Sequence, residues 1–190
     1  MSLYKAQDLA IGYDHVLQDN LNFEIQAGDF LHIVGSNGKG KSTLLKTLMG
    51  KIPKLSGQIE TSLEEKDWSY LPQLAKGTLI LSVTLDEMLQ AYNVPERVKS
   101  VLSKDVLEKR WVDASGGERQ KALILSRLAS GSKVLFLDEP FNHLDRSVTN
   151  ELIEFFNELI RSQFVSAIVM VGHIFPEKLS ESDVVTLELQ

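Results

Sequence analysis

Nine consecutive residues, Gly35-Ser36-Asn37-Gly38-Lys39-Gly40-Lys41-Ser42-Thr43, hold the densest chemistry in the chain. They fit the pattern G-x-x-x-x-G-K-[ST], in which glycines let successive backbone N–H groups curl around phosphate oxygens. At this spacing Lys41 reaches the β- and γ-phosphates of a nucleotide, and the Ser42 hydroxyl is a ligand for Mg²⁺. The flanks suit the role. Phe30-Leu31-His32-Ile33-Val34 is short and apolar, like a buried strand, and the residues from Leu44 to Met49 are apolar at helical spacing. A helix starting near Lys41 turns its positive dipole end toward the same anion.

A second cluster of candidates lies at strand ends further along. Val134-Leu135-Phe136-Leu137 is wholly apolar and runs into Asp138 and Glu139. A strand buried on both faces belongs in the middle of a parallel sheet, and ligands bind at the carboxyl ends of such strands. Asp138 is placed to hold Mg²⁺, and Glu139 to orient or deprotonate the water that attacks the γ-phosphate. Being adjacent on an extended strand, the two should point in opposite directions and do different jobs. Gly172-His173 closes another buried strand, read over residues 165–171. Gln73 follows the strand Trp68-Ser69-Tyr70-Leu71 and Pro72. It is either a solvated turn residue or, if the loop returns to the phosphates, a ligand for Mg²⁺ or the attacking water. Tyr13, just after Gly12, is either a packed edge aromatic or a platform for an adenine ring; composition favours the first.

The elements that must position these groups can be read in order. Residues 3–13 form a strand that turns at Gly12, and Leu21-Asn22-Phe23-Glu24-Ile25 alternates as a half-buried strand. These early strands are expected to pair antiparallel through short turns. The helix after the loop ends near Gly50, with Pro53 beyond it. Residues 56–60 form a turn and a short strand. Thr84-Leu85-Asp86-Glu87 is a capping box that opens a helix. Pro95 fits the first turn of a second helix, and Val106 and Leu107 mark a short third one. Residues 83–127 are thus expected to form an inserted helical lobe. A long amphipathic helix runs from Arg146 to Arg161, and residues 183–189 form a last strand.

Composition sets outer bounds. The 190 residues suffice for one domain with a substantial core. No apolar run is long enough to cross a bilayer, and the first residues carry no signal-peptide pattern. With no cysteine there is no disulfide, thiolate zinc site or catalytic thiol, which fits a reducing cytosol. A net charge of −6 argues against a dedicated nucleic-acid surface.

Ala114-Ser115-Gly116-Gly117-Glu118-Arg119-Gln120, leading into an apolar helical stretch, makes the resemblance specific. It resembles the LSGGQ signature of the ABC ATPases in its Glu-ending form. Together with the loop at 35–43, Gln73, the acids 138 and 139, the D-loop-like Asn142-His143-Leu144-Asp145 and His173, it stands in that family's order across nearly the whole chain. The resemblance implies an α/β P-loop NTPase fold of the ABC ATPase type. Its mainly parallel core sheet carries an N-terminal antiparallel β subdomain and the inserted helical subdomain, all within one ATP-binding domain over residues 1–190. It implies ATP and Mg²⁺ as ligands and hydrolysis of ATP to ADP and phosphate. By resemblance Tyr13 is the adenine-stacking aromatic, Gln73 senses Mg²⁺ and faces a membrane subunit, and His173 contacts the γ-phosphate. Ser115, Gly116, Gly117 and Glu118 meet the nucleotide held by a second subunit, in a head-to-tail dimer whose interface Asp145 crosses. The partners implied are an integral membrane transporter subunit and a second copy or close relative of this chain. The location implied is the cytoplasmic face of the membrane.

Some positions depart from the family pattern. Lys39 stands where a small residue is usual, and either points to solvent or adds positive charge near the phosphates. Ala114 replaces the usual Leu. Residues 57–73 and the helical lobe are both short, and no appended C-terminal regulatory module is expected. Two rival functions remain in view. One is an ABC ATPase acting on nucleic acid or ribosomes; the acidic chain has none of the long coiled-coil insertions, zinc modules or second cassette usual there. The other is a nonhydrolytic binding module, against which Glu139 and His173 speak.

Overall fold

The computed structural model describes residues 2–73, 82–128, 131–142, 144–172 and 184–189. In chain order the first elements are β1 (Ser2–Gly12), β2 (Val16–Gln26), β3 (Phe30–Val34), α1 (Lys41–Leu48), β4 (Ser56–Thr61) and β5 (Trp68–Leu71). There follow α2 (Leu85–Ala91), α3 (Glu96–Lys99), α4 (Lys104–Leu107) and α5 (Gly116–Arg127). The chain closes with β6 (Val134–Asp138), α6 (Arg146–Arg161), β7 (Ala167–Val171) and β8 (Val184–Glu188).

Two sheets divide the strands. β2-β1-β4 is a three-stranded antiparallel sheet; β1 and β2 pair antiparallel as expected for early strands joined by short turns, and β4 joins them on the other side of β1. The five-stranded sheet runs β5-β6-β7-β3-β8, and every pairing in it is parallel. All five strands therefore end at one edge. Side chains on β6 and β7 alternate between two cores, as a period of two requires. Leu135, Leu137, Ile168 and Met170 face a cluster with α2, α5 and α6. Val134, Phe136, Val169 and Val171 face one with β1, β2 and α1. The parallel sheet is sandwiched between the helical layer and the antiparallel sheet, which is why β6 and β7 are buried throughout.

Several boundaries differ from the sequence reading. β2 begins at Val16, well before the alternating stretch, because its polar first half pairs with β1 through a run of register shifts. Pro95 lies outside α3 as its N-cap, with an extended ψ of 144°. α3 and α4 are single turns of 4 residues each. The capping box at Thr84 is present: its hydroxyl accepts from the Glu87 N–H, and the Glu87 carboxylate accepts from the Thr84 N–H at 2.7 Å.

Candidate active site

The loop after β3 reaches α1 through Gly40, whose φ of 88° lies in the left-handed region. A side chain there would be strained, and glycine removes the conflict. No side chain caps α1, so its first N–H groups face the loop, the arrangement that favours an anion. Thr43, Leu44 and Leu45 anchor the helix in the core. Ser36, Asn37, Gly38 and Lys39 are exposed. Lys39 stands exposed on the loop.

Lys41 is only 5% exposed. Its ammonium donates to the carbonyls of Gly35 at 2.8 Å and Ser36 at 3.0 Å, leaving the third of its three donors for another acceptor. Burial lowers its pKa, and the charges of Glu139 and Asp138 partly offset that. The two acids thus offset part of what burial costs the charged lysine.

At the end of β6, Asp138 accepts from Ser42 Oγ at 3.0 Å through one carboxylate oxygen and from Tyr70 Oη at 3.2 Å through the other. Burial, with the Asp138 charge beside it, pushes the Tyr70 phenol up to about 12, so it remains a donor. Glu139 breaks the extended alternation: its φ is +51°. The two acids meet different partners, and the backbone turns at Glu139 instead of continuing as a strand. The Glu139 carboxylate accepts from Gln73 Nε2 at 2.8 Å and from Asn142 Nδ2 through the same oxygen. The Glu139 N–H is fixed by Val171 O at 2.9 Å.

The parallel sheet thus brings residues 35–43, Gln73, Asp138 and Glu139 to one edge. Gln73 meets Glu139 there. Gly172, at the end of β7, donates to Ile33 O at 3.2 Å on the same edge. His173 lies outside the described residues, as does His143. Tyr13 is 56% exposed at the turn between β1 and β2. That turn borders the loop, because Leu17 on β2 packs beside Gly40.

Ser115 is the N-cap of α5. Its hydroxyl accepts from the Glu118 N–H at 3.2 Å, and the Glu118 carboxylate accepts from the Ser115 N–H at 2.8 Å. Lys109 donates to the second Glu118 oxygen at 2.7 Å. Burial raises the Glu118 carboxyl, and the bonds from Lys109 and Ser115 outweigh it and hold the pKa below the ordinary range. Gly117 lies against α6: a Cβ built there would come within 2.7 Å of Val148 Cγ1. Asp145 is the N-cap of α6, accepting from the Val148 N–H at 2.9 Å. Ala114 is buried in the helical core. No hydrogen bond or ion pair among the described residues joins residues 115–118 to residues 35–43.

Four contacts escaped the sequence reading: those of Tyr70, Asn142, Lys109 and Gln120, whose Nε2 donates to Pro140 O at 3.2 Å. Asn142 stands three residues after Glu139, close enough to have been suspected. The other three depend on tertiary approach and carry no local signal.

The site thus sets a phosphate-type loop and a buried lysine beside two acids at the ends of parallel strands. The sequence model of the ABC transporter family matches residues 18–142. The chain is 32% identical over 191 residues to the zinc import ATP-binding protein ZnuC of Cereibacter sphaeroides, covering 96% of this chain and 77% of that one. It is 30% identical over 178 residues to the ABC transporter ATP-binding protein YfmM of Bacillus subtilis, covering 90% of this chain but only 33% of that longer protein. An ABC transporter ATP-binding protein of Pyrococcus furiosus has the same fold, with a TM-score of 0.74, 23% identity, and 98% and 96% of the two chains covered. The chain belongs to the ABC transporter family and is an ATP-binding, ATP-hydrolysing subunit of that family.

Proposed function

We propose that this chain is the motor of a transporter whose membrane-spanning part is a separate protein, and that ATP draws two such chains into a head-to-tail dimer. The observation that carries the reading is a site divided in two. Lys41, Asp138 and Glu139 gather at the strand ends. Ser115 stands exposed at the start of α5, with Glu118 as its side-chain partner. A hydroxyl at a helix N-terminus is a good anion site, and a second chain's nucleotide is the anion that fits.

In this reading residues 1–190 are one ATP-binding domain, and helices within residues 83–127 form its docking lobe. Gly35, Ser36, Asn37, Gly38, Gly40 and Thr43 cradle the phosphates through backbone N–H groups, with Lys39 at the rim. Lys41 spends its third donor on a phosphate oxygen, and Tyr13 stacks on adenine. Ser42 and Asp138 offer hard oxygen donors 3.0 Å apart, the type Mg²⁺ takes while keeping several waters. Gln73 turns its amide N–H to Glu139 and keeps its carbonyl for the metal or a water. Mg²⁺ bound there would neutralise charge on the β- and γ-phosphates. Glu139, held by Gln73 and Asn142, orients the attacking water and takes its proton. His173 is proposed to contact the γ-phosphate. Ser115, Gly116, Gly117 and Glu118 close over the partner's nucleotide, and Asp145 lies at the dimer seam. The second chain is an identical copy or a closely related subunit.

Among the described residues no helix is long and apolar enough to cross a membrane. Membrane attachment on the cytoplasmic face would therefore run through the partner protein. The experiment is to purify the chain from native membranes, identify the integral membrane protein that accompanies it, and measure its ATPase with and without that protein. Stimulation by the membrane protein supports the reading. Equal binding to bare lipid vesicles, or stimulation by nucleic acid instead, would overturn it.

A further inference from the structure

Glu118 presents a difficulty for the site it belongs to. Its carboxylate stands at the N-terminus of α5, where the proposed function brings a highly charged triphosphate. A free carboxylate there repels the incoming anion and competes with it for the same positive helix end. The structure answers this with Lys109. Its ammonium lies 2.7 Å from Glu118 Oε1, while Glu118 Oε2 accepts from the Ser115 N–H at 2.8 Å. The Glu118 side chain is 18% exposed against 42% for Lys109. The pair therefore holds the carboxylate inward and leaves a positive group on the outer side.

The base of Lys109 is fixed as firmly as its tip. Its carbonyl accepts from the Leu85 N–H at 2.9 Å, and the Trp111 N–H donates to Val83 O at 2.9 Å. Thr84 and Arg110 form an antiparallel bridge between these two bonds. Trp111 is 3% exposed and locks the segment into the helical core. The strip before α5 is thus stitched to the start of α2, and Lys109 reaches Glu118 from a stationary backbone.

We propose that Lys109 is a positioning residue that neutralises Glu118 so that the α5 N-terminus can accept the partner chain's nucleotide. The inference rests on the head-to-tail reading above. It assigns Lys109 no contact with ATP; the residue acts through the charge and placement of Glu118. A chain with Gln in place of Glu118 has no such charge to offset, and Lys109 would matter little there.

The test measures ATP-dependent dimerisation by size-exclusion chromatography in a Glu139→Gln background, which slows turnover. Lys109→Met should raise the ATP concentration needed for half-dimerisation by roughly three- to tenfold at low salt. The deficit should shrink as salt screens the repulsion. Lys109→Arg should restore normal behaviour, and adding Glu118→Gln should abolish the effect of Lys109→Met. A merely structural loss at the cap would not be relieved by salt. Thermal melting checks folding, and Lys109→Gln serves if the Met variant melts early. An equal deficit with and without Glu118→Gln, or no deficit at all, overturns the inference. Failure of the underlying reading looks different: Ser115→Arg, which should block dimerisation, would leave it intact.

Discussion

Replacing Glu139 with Gln should separate chemistry from folding. Both neighbours, Gln73 Nε2 at 2.8 Å and Asn142 Nδ2, donate to one oxygen, Oε2. A glutamine can place its carbonyl oxygen there and turn its amide away, so both bonds survive in neutral form. Losing their charge assistance at a partly exposed position costs about 1 kcal/mol. The chemical step loses a base and a water anchor, worth roughly 10²–10⁴ in rate, or about 3–5 kcal/mol of barrier. The barrier should therefore rise several times more than the stability falls. The variant should keep its ATP affinity, lose nearly all phosphate release and accumulate with ATP bound. Asp138→Asn should behave differently, because that carboxylate touches Ser42 and Tyr70 at the metal position: binding and turnover should fall together. Phosphate release measured beside direct nucleotide titration and thermal melting decides the matter. Near-normal turnover in Glu139→Gln, or a loss of stability as large as the loss of rate, would refute the division of roles.

Three further outcomes follow from other parts of the molecule. Lys41→Ala removes a charge-assisted contact of about 1.5–3 kcal/mol and should weaken ATP binding by roughly ten- to a hundredfold; unchanged affinity in a calorimetric titration would sink the loop assignment. Gly117→Ala drives a methyl toward Val148 Cγ1, 2.7 Å away, and should cost about 1–3 kcal/mol by overpacking, with recovery on adding Val148→Ala, read from denaturant melts. Burial of His32 pushes its imidazole from 6.5 down to about 4. The unfolded chain then binds the extra proton first, so stability is full above about pH 6.5 and falls as the pH drops toward about 4, by about 3 kcal/mol at 1.36 kcal/mol per unit. His32→Leu should flatten that slope in urea melts taken across this range; an unaltered slope would assign the pH dependence to other groups.

The parts of the fold that lie in local pattern were legible before the structure. The Thr84 capping box, the full span of α6 and the uninterrupted apolar run of β6 are local signals, and each lies close to the bounds its residues indicate; the Ser115–Glu118 capping box became apparent only in the structure. The order of the parallel sheet was not, because β7 lies between β6 and β3 through contacts distant in sequence. At the site, the loop at 35–43 and the two acids carry their chemistry in residue type and spacing. The turn at Glu139 does not: an acid pair after an apolar strand reads as more strand, whereas the backbone there adopts a φ of +51°. Tyr70 and Lys109 were invisible for a similar reason. A tyrosine on a strand and a lysine before a helix are ordinary in isolation, and only packing sets them against Asp138 and Glu118.

The divided site can be tested with the chain's own lack of cysteine. Lys39 and Ser115 are both exposed, one on the loop and one at the α5 N-cap. Two samples are prepared in the Glu139→Gln background, one carrying Lys39→Cys and the other Ser115→Cys, then mixed and oxidised with and without ATP. A disulfide forms only when the two Cα atoms come within about 7 Å. Head-to-tail pairing predicts an ATP-dependent covalent dimer from the mixture and none from either sample alone. A covalent dimer from Lys39→Cys chains alone, or no product from a mixture that dimerises in ATP, would contradict it.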